Sequence, residues 1–142
     1  MANVFDVADY ILHKVGPMTT MKLQKLIYYS QAWSLVWDEK PLFGERIEAW
    51  ANGPVSPDLF AAHRGKFSIS DEPNGDRRRL NRDEIETINA VLAAYGDKSA
   101  AWLSDLTHRE EPWMNARNGI PDRVRSNAEI THGAMTDYYG NL

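Results

Sequence analysis

The amino-acid sequence predicts a mainly α-helical fold, a single compact domain around a central buried helix, with one short β-hairpin. Three observations support this class. One long segment carries apolar residues at helical spacing on two of its faces. Capping residues recur at the start of several shorter amphipathic segments. The chain has 142 residues, of which 43% are hydrophobic, which is enough for one core.

The segment Thr20–Trp37 is the predicted central helix. One of its faces carries Leu23, Leu26, Ile27, Trp33 and Trp37, and another carries Tyr28, Ala32, Leu35 and Val36. A helix that is apolar on two sides is normally buried on two sides. At about 1.5 Å per residue it would be about 27 Å long, the width of a small domain. Lys22, Gln24 and Lys25, near its start, require solvent or a partner.

Local signals predict the helices before and after this segment. Asn3 is the expected N-cap of a first helix that ends at Gly16-Pro17. A later helix should begin at Asn81, with Glu84 as its capping partner, and end at Gly96. Asp97 should cap the next helix, which runs to about His108, and Glu111-Pro112 should start a single helical turn. Ser126 and Glu129 should form the capping box of a last helix that ends at Gly140.

The stretch AWANGPVSPDLF, residues 49–60, predicts a sharp bend followed by a short helix. Residues 46–50 fit a short extended piece, and Asn52-Gly53-Pro54 should turn. Ser56 precedes a proline, which favours the extended dihedrals of an N-cap, and Pro57 suits the first helical position. Residues 66–81 are polar and turn-forming, so we expect a mobile loop there, pinned at its start by Phe67 and Ile69.

The composition narrows the function classes. A formal net charge of −4 at pH 7 argues against nucleic acid as the main partner. Without cysteine, the chain can form neither disulfides nor a cysteine-ligated metal site, which suits the cytoplasm. The first residues lack the pattern of a signal peptide, and no stretch approaches the ~20 apolar residues that span a bilayer. We therefore expect a cytoplasmic protein with no membrane partner.

Candidate catalytic residues are few. The chain has four histidines, none in a zinc-ligand spacing, and it has no nucleotide-binding, hydrolase or kinase signature. The one cluster of histidine and carboxylates is His108-Arg109-Glu110-Glu111. We interpret His108 as a helix-end residue and the glutamates as the opening of the next turn, and predict no catalytic, cofactor or metal residue. The alternative is a metal-dependent or hydrolytic enzyme centred on His108, Glu110 and Glu111.

A DNA-binding regulator is the other alternative, because short helices joined by glycine-containing turns are typical of helix-turn-helix proteins. A recognition helix should expose basic or amide side chains. The outer faces of the predicted helices are instead acidic or apolar, and the arginines, such as Arg77–Arg79, fall mostly in loops. This pattern disfavours DNA binding.

Three sequence blocks resemble a known family. They are KLQKLIYYSQAW at 22–33, AWANGPVSPDLF at 49–60 and LSDLTHREEPW at 103–113. In this order and spacing they resemble the Panacea domain, also called the SocA-like antitoxin domain or the phage-associated GepA family. The resemblance extends over almost the whole chain, so a single Panacea domain is expected over residues 1–142.

The resemblance implies a non-enzymatic antitoxin of a type II toxin–antitoxin pair, bacterial or phage-encoded. Family members neutralise a cognate protein toxin by binding it, and at least one relative delivers its toxin to an AAA+ protease. Longer members carry an added DNA-binding domain, for which this chain has no room outside the matched region.

The family motif, carried over residue by residue, implies scaffold roles rather than catalytic ones. The matched scaffold residues are Leu23, Lys25, Leu26, Tyr28, Tyr29, Trp33, Ala49, Trp50, Gly53, Pro54, Val55, Pro57, Leu103, Thr107, His108, Pro112 and Trp113. Toxin contacts would then lie elsewhere, and we expect them in the 66–81 loop and the last helix. The expected contact residues are Arg77, Arg78, Arg79, Tyr138 and Tyr139.

Overall fold

The predicted central segment is the longest helix of the structure. A computed structural model describes residues 1–142, and helix α2 spans Thr20–Trp37, as the sequence predicts, with Thr19 as its N-cap. Every residue from Leu23 to Ala32 is buried. This part of the helix is therefore enclosed on all sides, rather than on the two sides that its apolar pattern indicates.

The other elements surround α2 and confirm a mainly α-helical fold. In chain order they are α1 (Val4–Val15), β1 (Met18–Thr19), α2, β2 (Ile47–Trp50), β3 (Gly53–Val55), α3 (Pro57–Ala62), β4 (Ser68–Ile69), a 3₁₀ turn (Arg77–Arg79), α4 (Arg82–Tyr95), α5 (Ala100–His108), α6 (Glu111–Arg117), β5 (Glu129–Ile130) and α7 (His132–Tyr139). Helices α1, α4, α5 and α7 and the strand β3 all contact α2. No helix is long and apolar enough to cross a membrane.

The predicted hairpin is part of a slightly larger sheet. Strands β2 and β3 pair antiparallel with Trp50 opposite Gly53, and β5 pairs with the other edge of β2 with Ile47 opposite Ile130. A second antiparallel pair joins β1 to β4, with Met18 opposite Ile69. The sheets are small, and they brace the helices instead of forming a layer of their own.

Most of the predicted helix starts are confirmed. Asn3 with Asp6 and Asn81 with Glu84 form reciprocal capping boxes, in which each side chain accepts from the partner's backbone N–H. Ser56 caps α3, with Pro57 at the first helical position.

Three predictions about later elements are wrong. Ser99, not Asp97, caps α5, and α6 continues for seven residues instead of a single turn. Ser126 and Glu129 do not form a capping box, because Glu129 lies in strand β5 and Thr131 caps α7.

The loop 66–81, predicted to be mobile, is held to the body of the domain. The buried carboxylate of Glu72 hydrogen-bonds the His63 ring at 2.6 Å, and the Asp76 backbone N–H donates to Asp6 Oδ1 at 2.8 Å. Ile69 is buried in β4, as expected, whereas Phe67 is 80% exposed and is held through its backbone, since its carbonyl accepts from the Thr20 N–H at 3.0 Å. The polar composition of this segment therefore reflects hydrogen bonds to neighbouring elements, not conformational mobility.

Two buried glutamines of α2 hold the chain segments that pass beside the helix. The Gln24 side chain accepts from Ser56 N–H at 2.8 Å and donates to the Ser56 carbonyl at 3.2 Å. Gln31 accepts from Leu42 N–H at 2.6 Å and donates to the Phe43 carbonyl at 2.9 Å. Each amide thus satisfies backbone groups of non-helical segments that would otherwise be buried without partners.

The buried ammonium group of Lys25 joins α2 to the hairpin. Its Nζ donates to the Pro54 carbonyl at 3.3 Å, and Lys25 is 1% exposed. Burial without a carboxylate partner disfavours the charged form and lowers the pKa of Lys25 to about 8. Gly53, at φ +120°, lies directly over this side chain, so that a Cβ there would collide with Lys25 Cε.

A buried cluster of tyrosines around one carboxylate joins α2, α6 and α7. The hydroxyls of Tyr29 and Tyr139 donate to Glu110 Oε1 at 2.6 and 2.7 Å, and the Tyr28 hydroxyl lies 3.0 Å from that of Tyr139. Burial raises the pKa of Glu110, although the two tyrosine hydroxyls act in the opposite direction. Burial also raises the pKa of each of the three tyrosines.

The tyrosine cluster gives a first prediction. Replacing Glu110→Ala removes the shared acceptor, which leaves the buried Tyr29 hydroxyl without an acceptor and the Tyr139 hydroxyl with Tyr28 alone. The free energy of unfolding should therefore fall by about 2–4 kcal/mol. Glu110→Gln keeps an acceptor oxygen and is the matched control, which should lose about 1 kcal/mol or less. Urea denaturation of the three proteins at pH 7 measures the difference. Equal losses in both variants would contradict the proposed role of the hydrogen bonds.

Lys25 gives a second prediction, on pH dependence. Its folded-state pKa lies below its ordinary value, so the cost of burying the charge is present below pH 8 and disappears as the pH rises towards 10.5. Relative to Lys25→Met, the wild-type protein should therefore gain roughly 2–3 kcal/mol of stability between pH 7 and pH 10. Urea denaturation across this range measures the gain, with Lys22→Met as control. If the free energies of unfolding of wild type and Lys25→Met change in parallel with pH, the lowered pKa of Lys25 is refuted.

Candidate protein-binding groove

An open groove of about 820 Å³ lies beside the N-terminal half of α2. The turn between β2 and β3 forms one wall, α3 and the residues after it form another, and the segment before β5 closes one end. Its lining residues are Thr20, Met21, Gln24, Lys25, Trp50, Ala51, Asn52, Val55, Phe60, His63, Arg64, Gly65, Lys66, Arg125, Ser126 and Asn127.

An aromatic pair forms the apolar part of the groove. The rings of Trp50 and Phe60 pack edge to face, with 4.8 Å between centroids and an interplanar angle of 66°. Phe60 is 42% exposed and Met21 is 40% exposed. Trp50 is held in place because its indole N–H donates to Glu48 Oε1 at 2.8 Å. The groove therefore offers a fixed apolar surface to an incoming side chain.

The charged side chains that line the groove are all cationic. They are Lys25, Arg64, Lys66 and Arg125, and no Asp or Glu is among the lining residues. None of the four has a carboxylate oxygen within 4.0 Å, whereas Arg46, Arg77, Arg78, Arg79 and Arg82 each have one. The groove is therefore positively charged, although the chain as a whole has a formal net charge of −4.

Arg117, which the sequence analysis missed, positions the closing segment of the groove. It is 1% exposed, and its guanidinium donates to the Ala49 carbonyl at 2.9 Å and to the Pro121 carbonyl at 2.7 Å, as well as to the carbonyl of Val124. It also lies 4.8 Å from the centroid of the Trp113 ring. These bonds fix residues 121–124 against β2, and Arg125 follows directly.

The three motif blocks meet behind the groove. The Trp113 indole N–H, on α6, donates to the Trp50 carbonyl at 2.8 Å. The His108 ring stacks on Trp113 with 4.0 Å between centroids. Thr107 is buried beside Gly53, and its hydroxyl donates to the Ser104 carbonyl at 2.7 Å. The first block, on α2, reaches the second through Lys25 and Pro54.

The remaining motif residues are buried or half-buried. Buried residues are Leu23, Leu26, Tyr28, Tyr29, Ala49, Val55, Leu103 and Pro112. Trp33 is half-buried against the core, where its indole N–H donates to the Tyr95 hydroxyl at 3.2 Å, and Pro57 is half-buried at the start of α3. Among the motif side chains, Trp50 and Val55 line the groove together with Lys25.

The cluster His108, Glu110 and Glu111 does not form one site. The Glu110 carboxylate points to the buried tyrosines, Glu111 is exposed at the start of α6, and the His108 ring lies on Trp113. Burial lowers the pKa of His108, which favours a neutral ring. No group of three or more His, Cys, Asp or Glu side chains is arranged to hold a metal ion.

The structure also shows how the expected toxin-contact residues are placed. Arg77 and Arg79 lie near the carboxylates of Asp9 and Asp6, at 3.6 and 3.9 Å, and Arg78 pairs with Asp76 at 3.0 Å. Tyr138 is half-buried. Tyr139 is 2% exposed and donates to Glu110, which corrects the expectation that this side chain faces a partner. Its inward position follows from the helical rotation of α7, which turns Met135 and Tyr139 to the same side.

Comparison with known proteins identifies the family. The model of the family described as antitoxin SocA-like, Panacea domain, matches residues 23–114. Antitoxin SocA of Caulobacter vibrioides (strain NA1000 / CB15N) is 31% identical over 130 residues, which cover 80% of this chain and 69% of that relative. No solved structure matches the chain significantly. The matched residues contain the second and third motif blocks and all of the first except Lys22, and the chain belongs to the SocA-like antitoxin family with a Panacea domain.

Proposed function

We propose that this chain is the antitoxin of a type II toxin–antitoxin pair and that it neutralises a cognate protein toxin by direct binding in the bacterial cytoplasm. Membership of the SocA-like antitoxin family carries the proposal. Neutralisation requires only that the antitoxin covers the active surface of the toxin, with an interface of roughly 1,200–2,000 Å² in total. The chain can be chromosomal or phage-encoded under this proposal.

The arrangement of the polar residues supports binding rather than catalysis. The side chains of Gln24, Gln31 and Tyr29 on α2, and the Glu110 carboxylate, are used in hydrogen bonds that hold elements together. The carboxylates and the histidine of the predicted alternative enzyme site point in different directions. The groove, in contrast, presents apolar side chains together with cations that have no carboxylate within 4.0 Å, which is typical of a recognition surface.

We also propose that residues 1–142 act as one Panacea domain, although the family model matches only residues 23–114. Helix α1, before the matched region, and α7, after it, both pack against α2. Tyr139 of α7 joins the tyrosine cluster through Glu110 of the matched region. Removing either helix would expose the core, so the outer segments belong to the same folding unit.

Co-expression tests the proposed function. The protein encoded by the gene adjacent to that of this chain should inhibit growth when expressed alone. Growth should be restored when this chain is expressed with it, because the two proteins form a complex. Growth curves and size-exclusion chromatography of the purified pair measure both effects. Persisting toxicity without a detectable complex would count against the proposal.

A second test separates binding from catalysis. His108→Phe keeps a ring that can stack on Trp113 but removes both ring nitrogens. This variant should neutralise the toxin as well as the wild type, whereas an enzyme that depends on His108 would lose its effect by 100-fold or more.

The mode of neutralisation is tested with the same pair. Occlusion predicts an unchanged toxin half-life in cells, and delivery to an AAA+ protease predicts a shorter one. Pulse-chase labelling in strains with and without the protease distinguishes the two modes.

A further inference from the structure

We propose that the groove beside α2 binds an acidic, extended segment of the toxin and seats one of its apolar side chains against Trp50 and Phe60. The inference rests on the proposed function and specifies which surface makes the contact. It replaces the 66–81 loop and α7 as the main contact, because the arginines of that loop already have carboxylate neighbours and Tyr139 is buried.

Charge gives the first argument. Arg64, Lys66 and Arg125 are exposed, lie around one groove and have no carboxylate within 4.0 Å. Like charges gathered in a concave surface raise the local potential and attract a segment of opposite charge. Carboxylates of a bound segment would supply the missing partners and remove the repulsion among the cations. The chemistry of the groove therefore requires an acidic occupant.

The floor of the groove gives the second argument. Lys25 lines it, and its ammonium group makes one hydrogen bond, to the Pro54 carbonyl at 3.3 Å. An ammonium group has three N–H donors, so two remain without a protein acceptor. An acidic side chain that enters beside Trp50 would bring acceptor oxygens towards this buried charge. A basic or purely apolar segment would leave the free-energy cost of burying the Lys25 charge uncompensated.

The aromatic pair gives the third argument and distinguishes a protein segment from nucleic acid. Trp50 and Phe60 pack against each other, so their faces are not both free for stacking of bases, which single-stranded nucleic acid requires. A polyanion such as nucleic acid that extended beyond the groove would also meet the negatively charged remainder of the surface and be repelled, since the chain carries 20 acidic and 16 basic residues. A short acidic segment contacts only the cationic region.

Charge reversal in the groove tests the inference. The triple variant Arg64→Glu, Lys66→Glu and Arg125→Glu should weaken the affinity for the purified toxin roughly tenfold or more at 150 mM salt. The matched control, Arg78→Glu, Arg82→Glu and Arg123→Glu, reverses the same number of exposed cationic side chains outside the groove. It changes the net charge equally and should weaken affinity by less than about threefold. Isothermal titration calorimetry measures both, and circular dichroism confirms that the variants are folded.

A second variant tests the apolar contact without changing charge. Phe60→Ser removes a half-exposed ring from the groove wall, and it should lower toxin affinity roughly tenfold, because the apolar side chain of the toxin loses the aromatic surface that it would bury. Phe67→Ser is its control, because Phe67 is 80% exposed and does not line the groove.

The outcomes separate the two proposals. A wild-type chain that does not bind the toxin overturns the proposed function, and the inference with it. Toxin binding that the groove variants leave unchanged, or that the control triple weakens equally, overturns the inference alone. A 12-nucleotide single-stranded DNA that binds the groove and competes with the toxin would also overturn the choice of a protein segment as occupant.

Discussion

The burial of α2 on all sides is the constraint on which the rest of the structure depends. A helix that is buried on all sides from Leu23 to Ala32 cannot leave its polar side chains in water, so burial favours partners for them inside the domain. The Ser30 hydroxyl is the exception, since it has no hydrogen-bond partner. Gln24 and Gln31 bind the backbone of passing segments, and Tyr29 binds Glu110. These bonds join the helix to the hairpin, to the loop after α2 and to α6. The polar groups of the core thus determine how the surrounding elements are placed.

The groove follows from this arrangement. Gln24 fixes Ser56 and with it the start of α3, so that Phe60 is held against Trp50. Arg117 fixes residues 121–124 against the hairpin, and this places Arg125 at the end of the groove that this segment closes. The recognition surface is therefore built on rigid elements, although its charged residues lie in loops. A rigid surface loses little conformational freedom on binding, which favours affinity.

The sequence predicts the parts of this fold that depend on near neighbours. Asn3, Ser56 and Asn81 are correctly assigned as helix caps because the groups that they bind lie within three residues. Ser126 and Glu129 have the same local pattern, but pairing of Ile130 with Ile47 places that segment in a sheet. No local signal reports this contact, since its partner lies more than 80 residues away along the chain.

The candidate site was harder to predict for the same reason. Lys25 and Trp50 are visible as motif residues, yet their position in one groove depends on how α2 crosses the hairpin. Arg117 carries no local sign of burial, because an arginine near a helix end is ordinarily exposed. The cationic character of the groove arises only when Arg64, Lys66 and Arg125, far apart in sequence, are brought together. The net charge of the chain, taken alone, predicts a negatively charged surface.

Hydrogen–deuterium exchange of the chain with and without bound toxin tests the central claim most directly. The claim is that a rigid helical frame binds its partner through the groove beside α2. Residues 63–67 and 125–127, in the exposed loops of the groove, should become protected in the complex, while the 3₁₀ turn at Arg77–Arg79 and helix α7 exchange as in the free protein. Protection confined to Arg77–Arg79 and α7, with the groove loops unchanged, would contradict the account.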